Sequence, residues 1–440
     1  MRRSSLFFSF IFWAASSWAV GSGGYTNQVV GSKALGMGNA YAAVADDPSA
    51  IYFNPAGLSR QDGYTVSVGA APVLSNTNYT SDSGTGDKMK KAAPVVPFLY
   101  GVAPLGEKWR VGFGINSPFG LETHWRDDGP LRYTATDSRL QYIGFNPAVA
   151  YKANERLSIG GGIDYARVSA NLESRLNETA LNSFLNGAPT LSPDGGKRLN
   201  GDGGGWGFNL GLLYEPVKDH NIALAYRSGI KASLSGHTTL SGLTNASAFV
   251  FGGDSYSTDV KTHLKFPPSL LLGYAYRPGP WTFAVDGEWV GYSVVKQTML
   301  NFSETDANRL GILNQGNPAV RNWKDSWNLG AGVDRALGQS FHARAGIFYY
   351  PTVIPESTWD PSNAESSRIG YTLGGSYSRG SLTFDLAYNF IQFNSRTIHN
   401  AVGASSLSTV DGKYKTSADI ISVGVSLRVG GRNERGGSAG

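Results

Sequence analysis

From about Tyr64 onward the chain falls into about fourteen segments in which apolar and polar residues alternate. Leu382, Phe384, Leu386, Tyr388 and Phe390 share one parity, and Thr383, Asp385, Ala387 and Asn389 share the other. Successive strand residues point to opposite faces, so one face suits lipid and the other a polar lumen. A soluble sandwich would alternate as well, but the charges sharpen the pattern. Asp286 and Glu288 oppose Trp281, Phe283 and Val285 in parity, and Arg344 opposes Ala343, Ala345 and Ile347. A barrel interior is the expected place for such residues.

The alternation predicts strands near 64–72, 93–103, 109–116, 141–151, 157–175, 205–214 and 222–234. Seven more are predicted near 262–276, 281–296, 323–334, 341–349, 367–377, 381–394 and 414–429. Short connections carrying Gly, Pro or charge (104–108, 152–156, 277–280, 378–380) alternate with long ones rich in Ser, Asn, Gly and Thr (176–204, 235–258, 297–322, 397–413). Brief periplasmic turns and extended outer loops are the habit of transmembrane barrels. The predicted fold is all-β, a 14-stranded antiparallel transmembrane barrel spanning 63–429. An even strand number places both barrel ends on the periplasmic side.

Beyond the extreme N-terminus there is no apolar run long enough for a spanning helix. Residues 1–19 read as a Sec signal peptide: Arg2 and Arg3, then an apolar core over Leu6–Ala15, then Ser17-Trp18-Ala19 as a small-x-small cleavage site. The rival is a retained membrane anchor, for which the apolar stretch is short. Residues 20–62 are rich in Gly and Ala, do not alternate cleanly, and suggest a plug, or hatch, ahead of the first strand. Residues 430–440 form a Gly- and Arg-rich extension, expected to be flexible.

The net charge of +5 is spread without a basic block, so nucleic acid is not an expected partner. The 57 glycines and the aromatic content of 12% fit curved strands and interfacial aromatic girdles. The chain has no cysteine, hence no disulfide or thiolate chemistry. His124, His220, His237, His263, His342 and His399 are scattered, with no metal-spaced pair, nucleophile elbow or phosphate loop. No cofactor, metal or catalytic residue is expected. A barrel enzyme of phospholipase or protease type and a general diffusion porin are the alternatives carried, and the plug speaks against the second.

Gly31-Ser32-Lys33-Ala34-Leu35-Gly36-Met37-Gly38-Asn39-Ala40-Tyr41, followed by Ala45-Asp46-Asp47-Pro48 and Asn54-Pro55-Ala56-Gly57-Leu58, resembles the hatch of the long-chain fatty-acid outer-membrane transporter (FadL) family. That family also contains importers of aromatic hydrocarbons. The likeness continues through Gly114–Leu121, Trp206–Asn209, Ala225–Ser228 and Arg344–Gly346, and so covers nearly the whole mature chain. It implies capture of hydrophobic molecules by extracellular loops, passage to an interior site, and sideways release through the barrel wall into the outer membrane. Its implied surroundings are outer-membrane lipid, lipopolysaccharide and the assembly machinery, with the chain as a monomer.

Candidate residues follow, each with a plainer role beside it. Asp46, Asp47, Asn54, Pro55 and Ala56 belong to a moving seal or merely to a turn that docks the plug. Gly112, Gly114, Asn116, Ser117, Pro118, Phe119 and Gly120 fall where the family has a strand kink and a lateral opening. Gly and Pro weaken ladder pairing, and the plainer role is a bend into a loop. Leu181, Phe184, Leu185, Phe249 and Phe251, with Leu176, Leu240, Leu243 and Val250, are apolar residues in loops that should be polar. They form a capture groove, the mutual packing of two short loop helices, or both. Arg175, Arg321 and Lys324 are candidates for a substrate carboxylate, or else members of lumenal and rim salt bridges.

Overall fold

The computed structural model describes residues 24–27, 29–90 and 93–430. The expected signal peptide at 1–19 and the extension from 431 onward fall outside the described residues. Fourteen antiparallel wall strands follow one another in chain order. They are β1 (Tyr64–Ser81), β2 (Val95–Leu105), β3 (Trp109–Asn116 and Gly120–His124), β4 (Asp137–Lys152), β5 (Leu157–Leu176), β6 (Gly195–Tyr214) and β7 (His220–Arg227 and Ile230–Ser241). The second half comprises β8 (Ser255–Phe266 and Ser269–Tyr276), β9 (Trp281–Val290), β10 (Ser326–Leu337), β11 (Phe341–Tyr350), β12 (Arg368–Arg379), β13 (Leu382–Phe393) and β14 (Gly412–Val429). β14 closes on β1 from Tyr64↔Val429 to Ser81↔Gly412. Closure leaves no free edge in lipid, where an unpaired backbone group has no water to bond.

Parity sorts the faces as the alternation implies. On β13, Leu382, Phe384, Leu386, Tyr388 and Phe390 are exposed, whereas Ala387 and Asn389 are buried. Asp286 and Arg344 are buried in the lumen. Exposed Trp206, Trp327, Tyr64 and Trp109 supply interfacial aromatics.

Several strands run further than the alternation suggests. β5 and β6 stay paired as far as Leu176↔Gly195, so 195–204 is strand rather than loop. β7 and β8 likewise continue to Ser241↔Ser255. Above the bilayer both faces of a hairpin meet water or loops, so the lipid-facing alternation fades while the ladder persists. β9 is shorter than expected and ends at Val290, and β10 begins only at Ser326. Between them the chain folds inward over the lumen and carries a short helix (Ala307–Leu313).

Residues 24–27 and 29–62 lie inside the barrel against its wall strands. They contain helices α1 (Ser32–Gly36) and α2 (Ala50–Phe53) and a 3-10 turn (Pro55–Arg60). Tyr41 and Phe53 pack on Leu213, Ala223 and Ala275, and Ile51 and Leu58 pack on Phe98, Tyr100 and Val102. Wall glycines let the plug backbone lie flush against the sheet. A Cβ on Gly332 would stand 2.2 Å from the Met37 oxygen, one on Gly346 2.4 Å from the Gly38 nitrogen, and one on Gly211 2.1 Å from Asn54 Oδ1. Close backbone approach accounts for part of the glycine content.

Candidate functional site

The plug is pinned by polar contacts at the residues singled out above. Asn54 is fully buried; its Nδ2 donates to the carbonyls of Ala42 and Leu212, both at 3.1 Å, and its Oδ1 accepts from the Ala56 amide. It thus caps the following turn and ties that turn to β6 with one side chain. Asp46 receives Lys33 Nζ at 2.6 Å and the Tyr41 hydroxyl at 2.8 Å, with Arg277 at 3.6 Å. Burial pushes the Asp46 carboxyl up, but Lys33 and Arg277 outweigh it and hold the group well below the usual carboxylate range. Asp47 accepts from the Ser49 amide at 2.9 Å, yet burial pushes its carboxyl above the ordinary value.

The ladder between β2 and β3 runs from Leu105↔Trp109 to Leu99↔Ile115 and stops there. β2 remains paired with β1 up to Val95↔Pro72. Among the described residues, no ladder pair joins 95–98 to β3. On its other side β3 pairs Asn116↔Gly144, leaves the ladder, and rejoins β4 at Gly120↔Gln141. The intervening Ser117, Pro118 and Phe119 turn into the lumen. There Pro118 O accepts the Asn27 amide at 2.9 Å, and the Gly120 amide donates to Tyr25 O at 2.8 Å. The Phe119 ring meets Tyr142 and Phe266 at centroid distances of 5.2 and 5.1 Å. Gly112 and Gly114 stay within both ladders. Their missing side chains make room for Ile51 and Tyr100, whose atoms lie 2.9 and 2.8 Å from where a Cβ would stand. The break therefore begins after Asn116, where Pro118 can donate no ladder bond, rather than at the glycines.

Beside the rejoined segment lies a partly open cavity of about 90 Å³. Seven leucines line it, among them Leu121 of β3, together with Tyr25, Trp323, Arg139 and Arg321. A second, more polar space of about 40 Å³ sits over the plug, lined by Tyr52, Arg227, Asp286, Glu288, Asn328 and Tyr350. Of the three candidate cations, Arg321 borders the leucine-lined cavity, where it forms an ion pair with Asp360. Arg175 and Lys324 are exposed and do not line it.

Two loop helices cover the outer mouth, α3 (Glu178–Asn186) and α4 (Asn245–Phe251). They are joined through buried Glu178, which accepts from the Thr244 amide at 2.9 Å and from the Ser247 and Thr244 hydroxyls. Leu240, Leu243 and Phe251 pack with Leu313, with Leu176 and Val250 partly buried against them. Leu181 is also buried and Leu185 half-buried, whereas Phe184 is 73% and Phe249 89% exposed. The loop residues thus divide into a packed set and two open phenylalanines.

Residues 13–429 match the family model described as "Outer membrane protein transport protein (OMPP1/FadL/TodX)". The chain belongs to this family. Its relatives include the long-chain fatty acid transport protein of Escherichia coli, 25% identical over 391 residues that span 78% of this chain and 82% of that protein. A putative outer membrane protein of Neisseria meningitidis is 26% identical over 456 residues, covering 96% and 97%. Among solved structures, a Pseudomonas aeruginosa FadL homologue superposes with a TM-score of 0.78 at 18% identity, over 92% of this chain and 99% of that one. The Ralstonia pickettii toluene transporter TbuX gives 0.69 at 20% identity, over 90% and 98%. At such identities the structures speak for the fold. As a member of the family, the chain is an outer-membrane protein.

The family motifs did not point to Tyr25, Arg139 or Trp323 in the cavity wall. Tyr25 lies ahead of the motif that carries the resemblance. Arg139 offered no signal, since it shares parity with Ile143 and Phe145, on the face opposite buried Leu140 and Tyr142. Trp323, expected at the start of a strand, precedes β10 and is buried, 4% exposed.

Proposed function

We propose that the protein carries hydrophobic small molecules, long-chain acids or aromatic and aliphatic hydrocarbons, from the cell exterior into the outer membrane. Cargo is captured at Phe184 and Phe249, settles in the leucine-lined cavity, and leaves sideways where β2 and β3 part. The observation that carries this reading is the juxtaposition of that ladder break with Leu121 and the cavity. Apolar cargo gains roughly 0.8 kcal/mol for each methylene removed from water, so exit into lipid is favoured over exit into the periplasm. A lumen filled by residues 24–27 and 29–62 does not suit an open diffusion pore. The named substrates of the Escherichia coli and Ralstonia relatives, a long-chain fatty acid and toluene, fall in the same class.

The test is uptake of labelled fatty acid and labelled toluene by cells that depend on this protein. Deleting Ser117–Phe119, so that β3 can pair continuously with β2, should abolish uptake at unchanged outer-membrane level. Uptake at the wild-type rate would refute lateral exit.

A further inference from the structure

The outer wall carries a basic patch at the height where its lipid-facing apolar residues end. Lower on β7 Ile222 and Leu224 are exposed, and lower on β8 Leu272 and Tyr274. Above them both strands leave the ladder, at Ser228–Gly229 and at Pro267–Pro268, and pairing resumes at Ile230↔Phe266. One face of this upper ladder is buried through Ile230, Ala232, Leu234, Val260 and Phe266. The opposite face presents exposed Lys231, Ser233 and Ser235 on β7 and exposed Lys261, His263 and Lys265 on β8. Trp206 of β6, 69% exposed, marks the membrane interface beside them. Gly204, two residues further along that strand, pairs with Ser233, which in turn pairs with His263.

Lys231 stands directly opposite Lys265, and Lys261 opposite Ser235. Like charges facing each other across a ladder repel, and none of the three lysines has an ion pair among the described residues. Two carboxylates flanking the patch are already engaged, Asp202 by Arg167 at 3.6 Å and Asp259 by the His237 ring at 2.8 Å. Ser233 and Ser235 are short, so the lysine stems can converge over them, and their hydroxyls are further donors. A phosphate seated between Lys231 and Lys265 removes the repulsion, and an ammonium binds phosphate as a point charge. The patch lies below α4, on the extracellular side. The anion that meets the wall at that height is the phosphorylated sugar headgroup of the outer-leaflet glycolipid, whose acyl chains then cover Leu224 and Leu272.

We propose that Lys231 and Lys265, with Lys261 beside them, form a binding site on the outer wall for a phosphate of lipopolysaccharide. The site is separate from the cavity and independent of what the cavity carries.

Equilibrium binding of radiolabelled lipid A to the full chain in maltoside micelles tests it, at about 0.15 M salt, with partition into empty micelles subtracted. Phosphorylated lipid A should bind roughly ten- to thirtyfold more tightly than the same lipid after enzymatic removal of its phosphates, the worth of two surface lysines toward an anionic lipid. Lys231→Ser combined with Lys265→Ser should erase that margin. Lys108→Ser combined with Lys218→Ser removes equal charge from exposed positions in short turns at the other end of the barrel and should preserve it. Equal binding of the two lipids by the wild type, or an undiminished margin in the Lys231 and Lys265 variant, would overturn the proposal. Displacement of lipid A by micromolar inorganic phosphate would mark a site for free anions and overturn it as well. The wild-type comparison decides even where the variant fails to fold.

Discussion

The Asp286 carboxylate, on β9, accepts the main-chain N–H of Tyr41 at 2.7 Å, and the same oxygen takes the Ala42 N–H at 2.8 Å. A wall strand thus holds the middle of the plug by its backbone, so sequence changes in the plug side chains leave this contact intact. A hydrogen bond is worth about 0.5–1.5 kcal/mol, and more where the acceptor is charged. Asp286→Ala should loosen the plug and raise the frequency of open-channel events in planar bilayers. Asp286→Asn, which keeps an acceptor oxygen, should lie between the two. A variant as quiet as the wild type would show that the plug is held elsewhere.

Asp46 and Asp47 should respond to pH with opposite signs. The Asp46 pKa in the folded protein is depressed below its unfolded value of about 3.9. Its contribution is therefore present above about pH 4 and lost as pH falls through the folded value. Asp46→Asn should lower the thermal midpoint by the same amount at about pH 5 and pH 8, with the difference shrinking only in stronger acid. Asp47 is pushed up by burial, so its charged form opposes folding as pH rises. Asp47→Asn should be neutral or stabilising at about pH 8. Melts of the three proteins across this range check both signs.

The fold was legible wherever lipid imposes parity. The lipid-facing residues of β13 and the start of β3 at Trp109 sit where alternation placed them, because the bilayer penalises any polar residue on that face. Strand length above the membrane was not legible, since at 195–204 nothing selects for alternation while the ladder continues. The plug motifs were visible as words, but the reason for Gly332, Gly346 and Gly211 appears only when the plug backbone is seen against them. The cavity was least legible of all. Tyr25, Leu121 and the pair Arg321 and Trp323 come from three separate parts of the chain, and no local pattern announces that they meet.

The glycine seats give a sharp contrast between two substitutions. At Gly346 a Cβ would lie 2.4 Å from both Gly38 N and Met37 C, all backbone, whereas at Gly101 nothing lies within 4 Å. Overpacking a filled site costs typically about 1–3 kcal/mol, sometimes more. Gly346→Val should displace the plug, raising bilayer conductance or lowering the yield of assembled barrel. Gly101→Ala should leave both unchanged, and equal effects would mean that the plug does not rest on that glycine.

The open phenylalanines and the exposed arginine separate capture from charge. Phe184 and Phe249 have most of their surface in water although their loop neighbours pack, and an apolar ring held out on a rigid helix pair has something to gain from an apolar ligand. Arg175 is exposed on the ladder below α3 and does not line the cavity. Replacing both phenylalanines with Ser should therefore cut uptake of fatty acids and neutral hydrocarbons alike by several-fold, without unfolding loops whose core is Leu240, Leu243, Phe251 and Leu313. Arg175→Ala should affect acids at most, through long-range attraction that salt screens. Equal loss of acids and hydrocarbons in Arg175→Ala, at unchanged surface level, would place the capture determinant on that strand instead of on the two helices.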